Sequence, residues 1–190
     1  MNENIKIKDT RSEIEREAAE CRVLFEKKTR DYGTSWRILR LPSLTDQIYI
    51  KANRIRSVQE SGENRVGDDV RDEFVAMVNY AVMGLILSDE RGKLNDEQEL
   101  PLEETMMLYD EQMKRVLDLM MDKNHDYGEA WRQMRISSMV DLILMKLLRI
   151  KQIEDNNGRT LVSEGVEGGY MDIINYSLFC LVRLTEEKMI

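Results

Sequence analysis

The residues most able to do chemistry in this chain occur as matched sets. The segment Asp-Tyr-Gly-x-x-Trp-Arg occurs twice, and it contains both tryptophans of the chain. Its candidate ligand-binding residues are Asp31, Tyr32, Trp36 and Arg37 in the first occurrence and Asp126, Tyr127, Trp131 and Arg132 in the second. An aromatic ring can stack on a base, and arginine can bind phosphate or stack as a plane. The segment predicts either such a recognition corner or a structural corner that fills a helix junction.

Two cationic pairs follow these corners, Lys51 with Arg54 and Lys146 with Arg149. On a helical wheel Lys51 falls inside an apolar stripe that includes Ile48. A lone ammonium is costly to bury there unless it is paired. The pattern therefore predicts one of two arrangements. The lysine either snorkels or pairs with a carboxylate on a neighbouring helix, or it faces a cleft and binds phosphate.

The carboxylates of the last helix in each half spell a divided motif. Overlaid, the two segments give Glu-x-x-Asp-x-x-Asn-Tyr, but Glu73 occurs only in the first and Asp172 only in the second. A complete Glu-x-x-Asp would place two hard oxygen ligands for Mg²⁺ on one helix face. Three interpretations stay open: a composite site of Glu73 and Asp172, a lost metal site, or favourable charges near helix N-termini at 68–73 and 164–167.

Three other features are interpreted structurally. Glu17 and Glu20 are predicted to lie on a solvated helix face. Two Ser-x-x-Asp motifs, ending at Asp46 and Asp141, are predicted to be capping boxes, with a ligand role as the alternative. Asn79 and its counterpart Asn175 lie in apolar helices and should have hydrogen-bond partners.

These motifs belong to an internal duplication. Residues 28–55 return at 123–150 with 13 of 28 positions identical, and the offset grows from 95 to 96 before Asn79-Tyr80 and Asn175-Tyr176. Helical periodicity predicts three helices per repeat, at about 11–30, 44–60 and 68–88, then 103–124, 139–155 and 166–187. The predicted domains are a first repeat at 11–88, a polar linker at 89–102 and a second repeat at 103–190. Because one such unit is marginal alone, we expect a pseudo-twofold helical bundle, an internal pseudo-dimer in one compact domain.

Composition supports an all-α fold and narrows the partners. The 190 residues are 42% hydrophobic and 34% charged, with Gly 10 and Pro 2. A net charge of -8 argues against bulk nucleic-acid binding and against an anionic membrane. The two cysteines, Cys21 and Cys180, form no disulfide framework, and no signal peptide or spanning apolar run is evident. We therefore expect a cytoplasmic protein, with homo-oligomers left open.

The repeated motif resembles the nucleotide-modification-associated domain 1 family, a domain of unknown function, with copies at about 20–88 and 113–185. A more distant similarity is to the all-α NTP pyrophosphatases of the MazG-like group. Those proteins bind Mg²⁺ through Glu-x-x-Glu and Glu-x-x-Asp on adjacent helices. This resemblance implies that Glu73 and Asp172 match parts of the second motif. Neither repeat carries a first motif at the corresponding distance.

Three functions remain open on the sequence. The first is a Mg²⁺-dependent nucleotide pyrophosphohydrolase, with phosphate held by Lys51, Arg54, Lys146 and Arg149 and catalytic residues unassigned. The second is a module that binds a nucleotide or another anion without turning it over. The third is a structural module that interacts with a protein partner.

Overall fold

The computed structural model describes residues 9–64, 67, 69–89, 92, 99–160 and 165–188. Within these residues the chain forms helices and no strands, so the predicted all-α class is confirmed. The helices are α1 (Thr10–Tyr32), α2 (Leu41–Ser61), α3 (Val70–Ser88), α4 (Leu102–Tyr127), α5 (Ile136–Asp155) and α6 (Val166–Lys188). Short 3-10 helices at Ser35–Ile38 and Ala130–Gln133 precede α2 and α5. No helix in this described part is long and apolar enough to cross a membrane.

A glycine ends the first helix of each repeat. Gly33 has φ 60° and donates its amide to the Thr29 carbonyl at 2.9 Å, and Gly128 is left-handed with φ 59° and ψ 39°. A residue with a Cβ adopts these angles at a cost, which explains glycine at both positions. The Glu99 carboxylate accepts a hydrogen bond from the Thr34 amide at 3.1 Å and covers this first corner. Within the predicted linker, residues 90, 91 and 93–98 lie outside the described residues.

The core lies where the last helices of the two repeats meet. Helix α3 packs against α6, and each also packs against the second helix of its own repeat, α2 or α5. The two helices run antiparallel, because the Arg71 guanidinium donates to the Leu181 carbonyl at 3.3 Å while Gly84 lies against the Tyr170 ring. Most apolar residues of α3 from Phe74 onward are buried.

Reciprocal ion pairs join the repeats. Asp46 pairs with Lys151 at 2.6 Å, and Asp141 pairs with Arg56 at 3.7 Å. Asp46 is equivalent to Asp141, and Arg56 to Lys151, so each repeat gives the other the same contact. A twofold relation would produce this exchange. The axis itself stays a prediction.

The predicted capping boxes at Asp46 and Asp141 are wrong. Helix α2 begins at Leu41 with a proline in its first turn, and α5 begins at Ile136, and neither N-cap residue makes a side-chain hydrogen bond. Each Ser-x-x-Asp therefore lies too far inside its helix for the aspartate to reach the first amide. The aspartates serve the contact between repeats instead.

The predicted solvated face at Glu17 and Glu20 is also wrong for Glu17, which is 0% exposed. Both carboxylates bind the guanidinium of Arg71 on α3. In the second repeat the equivalent contact has its charges exchanged, because Arg115 stands for Glu20 and pairs at 2.9 Å with Glu167, which stands for Arg71. The first and third helices of each repeat are thus joined by an ion pair of either polarity.

We expect both thiols to be inert in the folded protein. Cys21 and Cys180 are free and fully buried, and burial raises the pKa of the Cys21 thiol to about 12 and also raises the pKa of Cys180. Because the thiolate is the reactive form, Ellman's reagent should release no colour from the native chain. In denaturant, as the control, it should count two thiols per chain. A rapid reaction under native conditions would contradict this burial.

Candidate ligand-binding cleft

A cleft of about 380 Å³ opens between the end of α1, the first 3-10 helix, α2 and α3. This volume is within the usual range of about 300–1,000 Å³ for small-molecule sites. Aromatic side chains line much of it, among them Phe25, Trp36 and Tyr80, with Tyr32 at 71% exposure also in the wall. The first Asp-Tyr-Gly-x-x-Trp-Arg segment therefore contributes its aromatic residues to a concave surface.

Two lysines make this cleft cationic. Lys28 and Lys51 both line it, and no aspartate or glutamate of the described residues does. Lys51 also lies 3.1 Å from the Glu73 carboxylate, which binds Arg54 as well. Lys28 is exposed, and no carboxylate in the described ranges pairs with it. In a protein of net charge -8, this local excess of positive charge favours an anionic ligand.

The wall of the cleft also carries an unused hydrogen-bond donor. The indole Nε1 of Trp36 is buried, and it has no hydrogen-bond partner among the described residues. Nearby, the Thr29 hydroxyl donates to the Phe25 carbonyl at 2.9 Å. A buried donor without an acceptor costs free energy unless a ligand or water supplies one.

In the equivalent region of the second repeat, side chains of the chain itself contact one another. The Trp131 ring stacks on Phe179 with ring centroids 4.5 Å apart and planes 6° apart. Its Nε1 donates to the Asn124 side chain at 2.9 Å, where the first repeat has Thr29. Phe179 is equivalent to Met83, which lines the open cleft.

A carboxylate contacts the lysines of this region. Asp172 pairs with Lys146 at 2.5 Å and lies 3.9 Å from Lys123. These lysines are the counterparts of Lys51 and Lys28, and the counterpart of Asp172 is Ala76 in the wall of the open cleft. The expected pairing of Lys51 and Lys146 with carboxylates of a neighbouring helix is therefore present, but the carboxylates come from different helical turns.

The two motif arginines have structural partners. Arg37 is buried and donates to the Gly92 carbonyl at 3.1 Å, so it secures the linker. Arg132 binds the carboxylates of Glu13, Glu129 and Glu186. These contacts favour the structural interpretation of the arginines over phosphate binding.

The remaining candidates lie mostly in solvent. Asp31, Asp126 and Arg149 are exposed, and Tyr127 is 75% exposed. The structure therefore collects Tyr32, Trp36 and Lys51 in one cleft, with Arg54 behind Lys51 through Glu73. The other candidates do not line it.

Glu73 and Asp172 are not brought together. Because α3 and α6 are antiparallel, these carboxylates lie about nine residues apart along the helix pair, or about 13 Å at 1.5 Å per residue. Each is also held by cations of its own repeat. No group of three or more His, Cys, Asp or Glu among the described residues is placed to hold a metal ion. These donors do not fit one shared Mg²⁺ site.

The acids near the helix starts serve other contacts where they can be described. Asp69 caps α3 by accepting the Arg71 amide at 2.9 Å, as the N-terminal charge interpretation expects. Asp68 and Glu164 lie outside the described residues.

One of the two asparagine predictions is confirmed. Asn79 donates to the Cys21 carbonyl at 3.1 Å and accepts from the Tyr109 hydroxyl at 2.9 Å. The buried Asn175 Oδ1 has no partner among the described residues.

The sequence reasoning missed Lys28, Ala76 and Met83 as parts of the cleft. Lys28 had a usable signal, because it begins the repeated segment and is matched by Lys123. Ala76 and Met83 carry no chemical signal of their own. They matter because they are small or flexible where the second repeat has an acid and an aromatic ring.

Fold and cleft together define a duplicated all-α protein with a cationic and aromatic cleft in its first repeat. The family model Nucleotide modification associated domain 1 matches residues 28–87 and 123–184, well over half of the chain. The chain therefore belongs to this family and contains two copies of its domain. No curated protein and no solved structure matches it.

Proposed function

We propose that this protein binds a nucleotide in the cleft of its first repeat. The observation that carries the proposal is the chemical make-up of this cleft: aromatic walls, two lysines, an unused buried indole N–H and no lining carboxylate among the described residues. An aromatic ring bearing phosphate matches each of these features, since the ring can stack and the phosphate can pair with ammonium groups. The family's description, nucleotide modification associated, agrees with such a ligand.

Binding without turnover is the function that the geometry supports best. The separation of Glu73 and Asp172 and their existing ion pairs weigh against the Mg²⁺-dependent pyrophosphohydrolase. That activity, and the MazG-like relationship behind it, stay predictions and enter the test as a metal-dependent outcome.

A thermal-shift panel of ribo- and deoxynucleoside mono-, di- and triphosphates, with and without Mg²⁺, tests the proposal. A ligand at about 100 times its Kd adds roughly 2.7 kcal/mol, which raises Tm by about 5–10 °C at this chain length. A shift without Mg²⁺ supports binding. A shift that requires Mg²⁺, followed by pyrophosphate release, would replace the proposal with the hydrolase. No shift with any nucleotide would contradict it and favour a protein partner.

Lys28→Ala should weaken binding of the active nucleotide by about 10- to 100-fold, because a charge-assisted hydrogen bond contributes about 1.5–3 kcal/mol. Lys28 is exposed, so Tm without ligand should stay unchanged. Lys123→Ala is the matched control, since Lys123 occupies the equivalent position beside Asp172. Isothermal titration calorimetry should show normal affinity for the control. Equal affinities of both variants and the wild type would remove Lys28 from the site.

A further inference from the structure

The two clefts differ in a way that points to different roles for the two repeats. Both have a tryptophan, a lysine at the end of the first helix and a lysine on the second helix. They differ at the third helix, where the first repeat has Ala76 and Met83 and the second has Asp172 and Phe179. A third difference lies at the end of the first helix, where Thr29 is matched by Asn124.

The side chains of the second repeat reproduce the chemistry of an aromatic anion. Phe179 supplies a ring stacked on Trp131 at 4.5 Å. Asp172 supplies an anionic group at 2.5 Å from Lys146 and 3.9 Å from Lys123. Asn124 supplies an acceptor for the indole N–H, which in the first repeat is without a partner among the described residues. Stacking surface, cations and donor are thus all satisfied internally.

We propose that the side chains of Asp172 and Phe179 take the place of a ligand in the second cleft and are its resident groups. The chain then has a single ligand site, in the first repeat. This inference rests on the proposed function and specifies its ligand class. The ligand carries a planar ring against Trp36 and an anionic group between Lys28 and Lys51, in the places that Met83 and Ala76 leave open. In the second repeat the same positions contribute to the stability of the fold.

Calorimetric titration with the nucleotide that gives the largest thermal shift tests the stoichiometry. The wild type should bind one ligand per chain. Ala76→Asp and, separately, Met83→Phe should each weaken binding by at least about tenfold, because each places the second repeat's occupant in the open cleft. Asp172→Ala combined with Phe179→Met should raise the stoichiometry to two. Two ligands per wild-type chain, or unchanged affinity in both first-repeat variants, would overturn the inference.

A second experiment does not need a nucleotide. Asp172→Ala alone should lower Tm, because Lys146 loses its partner, and added formate or inorganic phosphate should restore part of the loss by taking the vacated position. Lys151→Ala, whose missing group is a cation, is the matched control and should show no such anion rescue. Equal responses of both variants would contradict the resident role of Asp172. If added anions restored the Tm of Asp172→Ala but the protein bound no nucleotide, the role of Asp172 would stand and only the proposed function would be rejected.

Discussion

Arg71→Ala is expected to lower the free energy of unfolding by about 3 kcal/mol. The guanidinium binds Glu17 and Glu20 on α1 and also donates to the Leu181 carbonyl and the Thr185 hydroxyl on α6. Its removal leaves the carboxylate of Glu17 fully buried with less compensation. We place the cost at the lower end for a broken buried pair because Arg16 and Thr185 still contact Glu17. Urea denaturation followed by circular dichroism measures it.

The second repeat supplies the control for this prediction. Arg115→Ala breaks the equivalent pair with Glu167, in which the side chains are 54% and 40% exposed, and should cost less than about 1 kcal/mol. A triple variant with Arg71→Glu, Glu20→Arg and Glu17→Gln copies the second repeat into the first. It should recover much of the stability lost in Arg71→Ala. Equal, small losses in Arg71→Ala and Arg115→Ala would show that burial of the first cluster has no energetic weight.

Trp131→Ala is expected to destabilise the fold by about 3–5 kcal/mol, the usual range for removing a large buried aromatic side chain. Trp131 is 6% exposed, stacks on Phe179 and donates its indole N–H to Asn124. Its removal opens a cavity and leaves Asn124 without this donor. The loss should appear in the urea midpoint, with nucleotide affinity unchanged once the variant is folded.

Trp36→Ala is the matched variant, and it should have the opposite profile. Trp36 is only partly buried, forms the wall of an open cleft, and its indole N–H loses no hydrogen bond to a described residue. We expect a clearly smaller loss of stability than in Trp131→Ala, with binding of the active nucleotide abolished. If both variants were equally destabilised and still bound the nucleotide, both tryptophans would have a purely structural role.

Much of this architecture could be predicted from the sequence because the same helical pattern occurs in both repeats. Two independent copies of the same helical periodicity predict six helices whose centres agree with the structure. Helix starts were less predictable. Arg40 and Arg135 act as N-caps without a side-chain hydrogen bond, so the Ser-x-x-Asp motifs drew the predicted starts inward to about 44 and 139.

The site was harder, because residue type alone does not say which face a side chain occupies. Trp36, Tyr32 and Lys51 were predicted as ligand residues, and they line the cleft. Arg37 and Arg132 were predicted on the same kind of repeated motif, but they bind other groups of the protein. Glu17 looked solvated because its counterpart is Gln112, yet its partner Arg71 lies 54 residues away in sequence. Pairings across that distance depend on how helices cross, which periodicity does not encode.

The antiparallel contact of α3 with α6 has a consequence for folding speed. Helical bundles usually fold fast because most of their contacts are local, but here the main contact joins segments separated by about one hundred residues. Closing a loop of that length costs conformational entropy before the contact contributes any favourable free energy. The contact between α3 and α6 is therefore non-local in sequence, like the strand pairings of slowly folding β proteins. We expect it to form late, after the helices around it, and to set the folding rate of the whole chain.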